Sequence, residues 1–466
     1  MEDQYDLIII GSGPGGYVAS IRAGQLGLKT ACVEKTRELG GTCLNVGCIP
    51  SKSLLHASEF YWRLCKVGKE EGIEAEKLNC NFAQMMKRKE KTVGNFNQGV
   101  AALFKKNKVD RYTGTAKLLS PNSIEIDEGT SKKTIQGRNL LLATGSEPIP
   151  LPFLPFDEKK VVSSTGALSL KEIPKKMIVI GAGVIGVELG SVYKRLGSEV
   201  VFVEFLDRIC PVLDAALSKS LQEELTKQGM TFHLTSKVIS GGISKDQVIL
   251  KVEMPDKSTS EMSADVVLVS IGRRPYTAGL GLETAGVKVD QKGFVLIDGA
   301  FRTSVPSIYA IGDIVNGPML AHKASEEGIA AVEIIAGHKP VIDYMAIPSV
   351  VYTYPEAAGV GLTEAEAKTF GLEIKTGMFP FKINSRAQCT GEEEGFVKII
   401  AEAKTDQIVG IHIIGPHASE LIAQGALAIH KKVTALELAN LPFAHPTLAE
   451  AIKEAALSVH KRPIHR

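Results

Sequence analysis

The chain is written in short unbroken apolar runs separated by stretches of helical spacing. Residues 7–10 and 178–180 are apolar at every position, the pattern of parallel strands covered on both faces. Each run leads into a glycine-rich turn: Gly11-x-Gly13-x-x-Gly16 in one case and Gly181-x-Gly183-x-x-Gly186 in the other. A helical stretch then ends in Leu26-Gly27 or Leu196-Gly197, and a second apolar run closes on Val33-Glu34 or Val203-Glu204. A strand–turn–helix–strand unit therefore occurs twice at one fixed offset.

Elsewhere the pattern predicts a helical stretch over 57–108 and short β-type runs over 111–138. A strand over 140–142 ends in a small-residue turn. Pro148, Pro150, Pro152 and Pro155 then have linker composition and predict a domain boundary near residue 150. Strands are expected at 266–271, 294–297 and 308–311, and a helix over 322–336. Beyond Pro348 the pattern changes to strands at 350–352, 396–400 and 408–414 with helices over 419–430 and 448–457. The fold class expected is α/β, two Rossmann-like units followed by an α+β domain.

Composition removes several function classes. A chain of 466 residues exceeds one core, and 44% hydrophobic with 23% charged residues is ordinary for a globular protein. A net charge of +2 gives no reason to expect nucleic acid or a membrane surface as partner. No apolar run approaches a membrane span. The acidic start, residues 1–6, lacks the basic, Arg- or Ser-rich character of a targeting segment. The expectation is a cytoplasmic chain, or one already trimmed of its leader. Seven cysteines are sparse, and those other than Cys43 and Cys48 show no metal-ligand spacing, so no metal is expected.

The doubled unit carries the first chemistry. The first glycine makes the tight turn, the second lets a pyrophosphate approach the backbone, and the third permits close helix–strand packing. Phosphate then lies at a helix N-terminus, where N–H groups and the dipole favour an anion. Gly181, Gly183, Val184, Ile185, Gly186 and Val187 would form that cradle in the second unit. Glu34 and Glu204 end strands where a carboxylate can meet ribose hydroxyls. Glu204 followed by Phe205 repels a 2′-phosphate and predicts NAD rather than NADP, with Arg208 nearby acting against this.

The second piece of chemistry is the segment Gly40-Gly41-Thr42-Cys43-Leu44-Asn45-Val46-Gly47-Cys48. Two cysteines five positions apart in regular helix would have Cα atoms about 8 to 9 Å apart. That exceeds the roughly 7 Å a disulfide tolerates. A bonded pair therefore requires a break in the helix, for which Gly47 supplies the freedom. It would also be readily reduced. The same spacing fits two buried thiols, and the cysteines alone leave both readings open.

Taken with the motif Ala444-His445-Pro446-Thr447-Leu448-Ala449-Glu450, these features resemble the dihydrolipoyl dehydrogenases, a branch of the pyridine nucleotide-disulfide oxidoreductases. The resemblance runs nearly end to end through residues 40–52, 143–146, 181–188, 272–275, 309–324, 352–356, 384–387 and 445–450. It implies an FAD-binding domain over 1–148, an NAD-binding domain over 149–276, a central domain over 277–346 and a dimerisation domain over 347–466. It implies that Gly11, Gly13, Gly16, Glu34, Thr42, Lys52, Ala116, Ser146, Asp313 and Ala321 hold FAD. Gly181, Gly183, Val184, Ile185, Gly186, Val187, Glu204, Val238 and Gly272 would hold NAD.

Cys43 and Cys48 would be the redox disulfide, Cys43 exchanging with substrate and Cys48 facing the flavin. His445, oriented by Glu450, would be the base, entering the partner's site across a cis His445–Pro446 bond. The implied function is oxidation of protein-bound dihydrolipoyl groups with reduction of NAD⁺, by a homodimer serving the lipoyl domains of a larger complex. A reductase of the glutathione type, running the other way on NAD(P)H, is the alternative. Phe443, Tyr354 and Gly359 depart from the commoner pattern of the family, and residues 459–466 form an unusual basic tail.

Overall fold

The computed structural model describes residues 4–66, 68, 71–74 and 76–466. Residues 1–3 of the acidic start, and Val67, Lys69, Glu70 and Ala75 of the expected helical stretch, lie outside the described residues. The chain divides into two compact units. One comprises Met1–Leu54, Ala83–Ile149 and Gly272–Ile342, and the other Leu55–Phe82, Pro150–Ile271 and Asp343–Arg466.

The first unit is built on a seven-stranded sheet. Strand Gln4–Ile10 lies parallel between Thr30–Glu34 and Lys132–Leu142, with Asp110–Thr113 outside Thr30–Glu34. The unbroken run at 7–10 has the reason inferred from the sequence: Leu7 and Ile9 join the core on one face, Ile8 and Ile10 that on the other. Besides Gln4–Ile10, strand Lys132–Leu142 has two further partners. Its start continues an antiparallel meander with Ser123–Asp127 and Thr115–Ser120, and its end lies parallel to Ile308–Ala310. That last pairing brings residues 308–313 to the same sheet edge as the first glycine turn.

The second unit carries a five-stranded parallel sheet in the order Thr231–His233, Glu199–Val203, Lys176–Ile180, Val266–Val269, Val161–Val162. Its C-terminal part is a five-stranded antiparallel sheet, with Glu356–Gly361 and Phe396–Glu402 flanking Ile408–Gly415. Helices Ala418–His430 and Glu450–Val459 cover its core. The α/β expectation and the change to α+β after Pro348 are both met.

Two expected elements differ. The stretch 57–108 is not one helix: it forms Cys48–Lys66 and Phe82–Lys106. Gly68 closes the first by donating to the Arg63 carbonyl (3.2 Å), and Gly72 adopts φ +74°, a left-handed conformation that interrupts a helix. The strand expected at 294–297 is reduced to isolated bridges from Val295 to Val289 and Val315. Val289 and Val315 are single bridge residues outside any strand, so an apolar run finds no ladder to join.

Candidate active site

The two glycine turns share one geometry. Gly11 and Gly181 have φ of +101° and +94°, which favours glycine. A Cβ on Gly16 would lie 1.8 Å from the Gly11 carbonyl oxygen, and one on Gly186 would lie 2.3 Å from that of Gly181. These glycines allow helix and turn to touch. At Gly13 and Gly183, by contrast, an added Cβ would meet nothing among the described residues within 4 Å. The middle glycines thus face open space at the heads of helices Pro14–Gln25 and Val184–Arg195, and among the described residues no side chain caps either helix. Uncapped N–H groups opening on a cradle that any side chain would fill suit a pyrophosphate in both places.

Glu34 and Glu204 do more than await a ribose. Glu34 Oε2 accepts the Ser12 N–H (2.9 Å) and hydroxyl (2.7 Å), and Glu204 Oε2 accepts the Ala182 N–H (2.6 Å). Their other oxygens take the N–H groups of Thr36 and Leu206. Each carboxylate therefore fixes its own turn. Val184 and Ile185 are half-buried in the first turn of their helix, whereas Val187 and Val238 are buried. Gly272 lies in the first unit, where its carbonyl accepts the Ile149 N–H (3.1 Å).

The sulfur segment is fastened to the first turn. Gly40 donates to the Ser12 carbonyl (3.0 Å), and a Cβ on Gly41 would lie 2.6 Å from the Gly13 Cα. Helix Gly41–Val46 carries Cys43, helix Cys48–Lys66 begins on Cys48, and Gly47 between them has φ −145° and ψ −115°. The helix breaks at Gly47, where a bonded pair would need it to, and Cys43 and Cys48 are both free, half-buried thiols in this structure. A side chain at Gly47 would press on the Thr42 carbonyl at 2.9 Å. The two sulfurs are hydrogen-bonding neighbours; that contact and burial push the Cys43 thiol well above its ordinary pKa, while Lys52 acts in the opposite sense. Thr42 is exposed and Lys52 half-buried on these helices.

Ser146 and Asp313 meet although 167 residues separate them: the serine hydroxyl donates to Asp313 Oδ2 at 2.6 Å. Ala321 opens helix Ala321–Ile335, and Ala116 is buried in the core of the first sheet. In the second unit the His445–Pro446 bond is cis. His445 Nδ1 lies 3.1 Å from Glu450 Oε1, and Glu450 Oε2 accepts the Thr447 N–H at 2.8 Å. Asn384 holds the Thr447 carbonyl (3.0 Å), so the loop is tied from both sides. The His445 ring is 70% exposed, leaving Nε2 able to meet a substrate.

Residues 5–328 match the family profile described as pyridine nucleotide-disulphide oxidoreductase, and residues 347–456 match the dimerisation domain of the same family. The chain belongs to the pyridine nucleotide-disulphide oxidoreductases. It is 50% identical to the mitochondrial dihydrolipoyl dehydrogenase of Pisum sativum, over 99% of this chain and 93% of that one. Identity to dihydrolipoyl dehydrogenase 3 of Pseudomonas putida is also 50%, over 98% of each. The solved structure of LpdA from Mycobacterium tuberculosis superposes with a TM-score of 0.89 at 27% identity, over 97% of this chain and 99% of that one. As a member of this oxidoreductase family the chain uses FAD and NAD(H), and its matched dimerisation domain supports a homodimer.

Sequence reasoning missed Ser12, whose hydroxyl links Glu34 to the Gly40 N–H (3.2 Å), and Arg273, which binds Ser146. Ser12 stood inside the glycine motif as an unspecified position, and Arg273 inside a motif assigned only to its glycine. The departures from the family pattern have local reasons. Tyr354 packs on Trp62, with ring centroids 5.6 Å apart. Gly359 faces His412, whose Nδ1 would lie 2.7 Å from any Cβ there. Phe443 packs on the antiparallel core. The basic tail is anchored rather than loose: His465 Nδ1 pairs with Glu454 (2.8 Å) and Arg466 donates to the Met378 carbonyl (2.7 Å).

Proposed function

We propose that this oxidoreductase is a dihydrolipoyl dehydrogenase, oxidising protein-bound dihydrolipoyl groups to the lipoyl disulfide and reducing NAD⁺ to NADH. The observation that carries this is the sulfur pair fastened to one dinucleotide turn, in a chain that also holds an exposed histidine on a carboxylate. The glutamate–histidine contact places the proton on Nδ1 and leaves the Nε2 lone pair to accept one.

His445 takes the proton of a substrate thiol, and the resulting thiolate attacks Cys43 Sγ. The Cys43–Cys48 bond breaks, and its electron pair remains on Cys48 as a thiolate. The second substrate thiol then displaces Cys43, closing the lipoyl disulfide and leaving two reduced cysteines. Two electrons have passed from substrate to protein, and the two substrate protons are carried off through His445. Bound FAD supplies the two-electron carrier between this dithiol and NAD⁺. Gly11, Gly13, Gly16, Glu34, Thr42, Lys52, Ala116, Ser146, Asp313 and Ala321 would hold it. The turn at Gly181 and Gly183, with Glu204, Val238 and Gly272, would hold NAD. Arg208, the residue that argued against NAD, is engaged with the Pro211 carbonyl (3.3 Å).

On this reading residues 1–148, 149–276, 277–346 and 347–466 are the FAD-binding, NAD-binding, central and interface domains. His445 and Glu450 complete the partner's site, and lipoyl domains of acyltransferases or glycine cleavage carriers deliver the substrate. The compartment is a mitochondrial matrix or a bacterial cytoplasm; the Pisum sativum relative is named as mitochondrial. Cys48→Ser tests the function: dihydrolipoamide-dependent NADH formation falls to background while FAD and NAD still bind. Retained turnover in a stopped assay with the purified variant would refute the disulfide's role.

A further inference from the structure

Residues 273–275 return the chain to the first unit as a short strand antiparallel to Ser146–Pro148, with Arg273 opposite Pro148 and Pro275 opposite Ser146. From there the Arg273 guanidinium grips one residue twice. Its Nε donates to Ser146 Oγ and its Nη2 to the Ser146 carbonyl, both at 2.7 Å. The serine hydroxyl has one proton and spends it on Asp313, so the arginine fills its lone pair and fixes the direction of that bond. Asp313 cannot drift from the other side. The preceding Gly312 gives its N–H to Glu327 (2.8 Å) and its carbonyl to Lys323 (3.0 Å), an ion pair with both partners almost fully buried.

The guanidinium is largely withdrawn from water, and its acidic neighbours are Asp313, Cys48 and Glu147. Glu147 is engaged by Arg274 at 2.8 Å. Asp313, held through Ser146, and Cys48 lie within the field of the Arg273 charge. Among the described residues, Lys52 and Tyr17 also interact electrostatically with Cys43.

We propose that Arg273 is a positioning residue of the redox centre: its fork on Ser146 sets Asp313, and its charge stabilises Cys48 as an anion once the disulfide opens. The proposal rests on the dihydrolipoyl dehydrogenase reading. The two functions separate by substitution, since Arg273→Lys keeps the cation without the planar fork, whereas Arg273→Gln keeps a donor without the cation.

The test uses holoenzyme reduced anaerobically with dihydrolipoamide at a series of pH values. Its first readout is the midpoint at which the long-wavelength thiolate-to-flavin absorption appears. A parallel readout is the rate at which iodoacetamide blocks the reduced cysteines, and a third is the FAD lost on dilution. Removing a nearby cation makes the thiolate harder to form, so R273Q moves the midpoint up by about one pH unit, with slower alkylation below it. R273K leaves the midpoint near the wild-type value and releases FAD several-fold faster. If R273Q titrates and retains FAD like the wild type, or R273K shifts the midpoint as far as R273Q, the proposal is overturned. A wild-type enzyme with no such band at any pH would instead overturn the reading on which it rests.

Discussion

The two glycine turns start from the same motif and end in different surroundings. In the first, Ser12 adds a hydroxyl that binds Glu34 and reaches the Gly40 N–H, and the sulfur segment packs against Gly13 itself. In the second, the carbonyl of Ala182 accepts the Cys210 N–H (2.9 Å) as that of Ser12 accepts the Gly40 N–H, but Ala182 brings no hydroxyl, and Phe205 beyond Glu204 stands 68% exposed. One turn is built against the two-cysteine segment, the redox centre of the proposed function, and the other presents its cradle beside an exposed aromatic side chain. A repeated unit can thus hold one dinucleotide as a resident group and the other as a substrate that exchanges, with one side chain and one packing contact making the difference.

Filling the middle glycines gives the largest contrast. Gly13→Val should yield protein without FAD and without any turnover, read from the flavin absorbance of the purified enzyme. Gly183→Val should keep its flavin and still be reduced by dihydrolipoamide, with the KM for NAD⁺ raised at least about tenfold, since each blocked phosphate contact costs a factor of ten per 1.4 kcal/mol. Loss of FAD from the second variant would break the division of labour between the turns. His445→Gln should leave both turns loaded and lower kcat by about 10²- to 10⁴-fold, the usual worth of a general base, with Glu450→Gln affected in the same direction but less. Steady-state kinetics beside flavin content separates that loss from a binding defect.

Ser12→Ala should cost about 1–3 kcal/mol, because it strips a buried carboxylate of a partner, and should speed FAD release. Ala182→Ser offers a hydroxyl to the same two partners in the second unit, since the Cys210 N–H stands on the Ala182 carbonyl as that of Gly40 stands on Ser12; it should raise stability, by less than Ser12→Ala lowers it, and thermal unfolding of both variants makes the comparison. The smallest effect lies outside both turns. Burial lowers the pKa of His412, which keeps its ring neutral in the folded chain. The unfolded state then binds the extra proton, so stability is present above the unfolded pKa of about 6.5 and declines as pH falls below it. His412→Gln should flatten that part of the pH–stability curve.

Much of this was legible in the sequence because it is local. The glycine spacings, the carboxylates ending the second strands, the helix break at Gly47 and the five-residue step from His445 to Glu450 each depend on neighbours along the chain. The Ser146–Asp313–Arg273 group is different: its members lie 127 and 167 residues from Ser146, and only two strand pairings bring them together. No periodicity announces such a meeting. The same holds for the room Gly359 leaves for His412, which appears in sequence only as a departure from the family pattern. Where sequence reading failed outright, as at 294–297 and across the break at Gly68 and Gly72, apolar content or helical spacing was present but the ladder or the backbone conformation was not.

On the proposed reading, electrons pass from a dihydrolipoyl dithiol through Cys43 and Cys48 to the nicotinamide. An anaerobic titration with dihydrolipoamide, followed spectrally before and after NAD⁺ is added, tests it most directly. A long-wavelength thiolate-to-flavin band should form with the dithiol and disappear as NADH appears. A yellow protein that shows no such band with dihydrolipoamide, yet is reduced by NADPH, would contradict it and assign the chain to the reductases that run the other way.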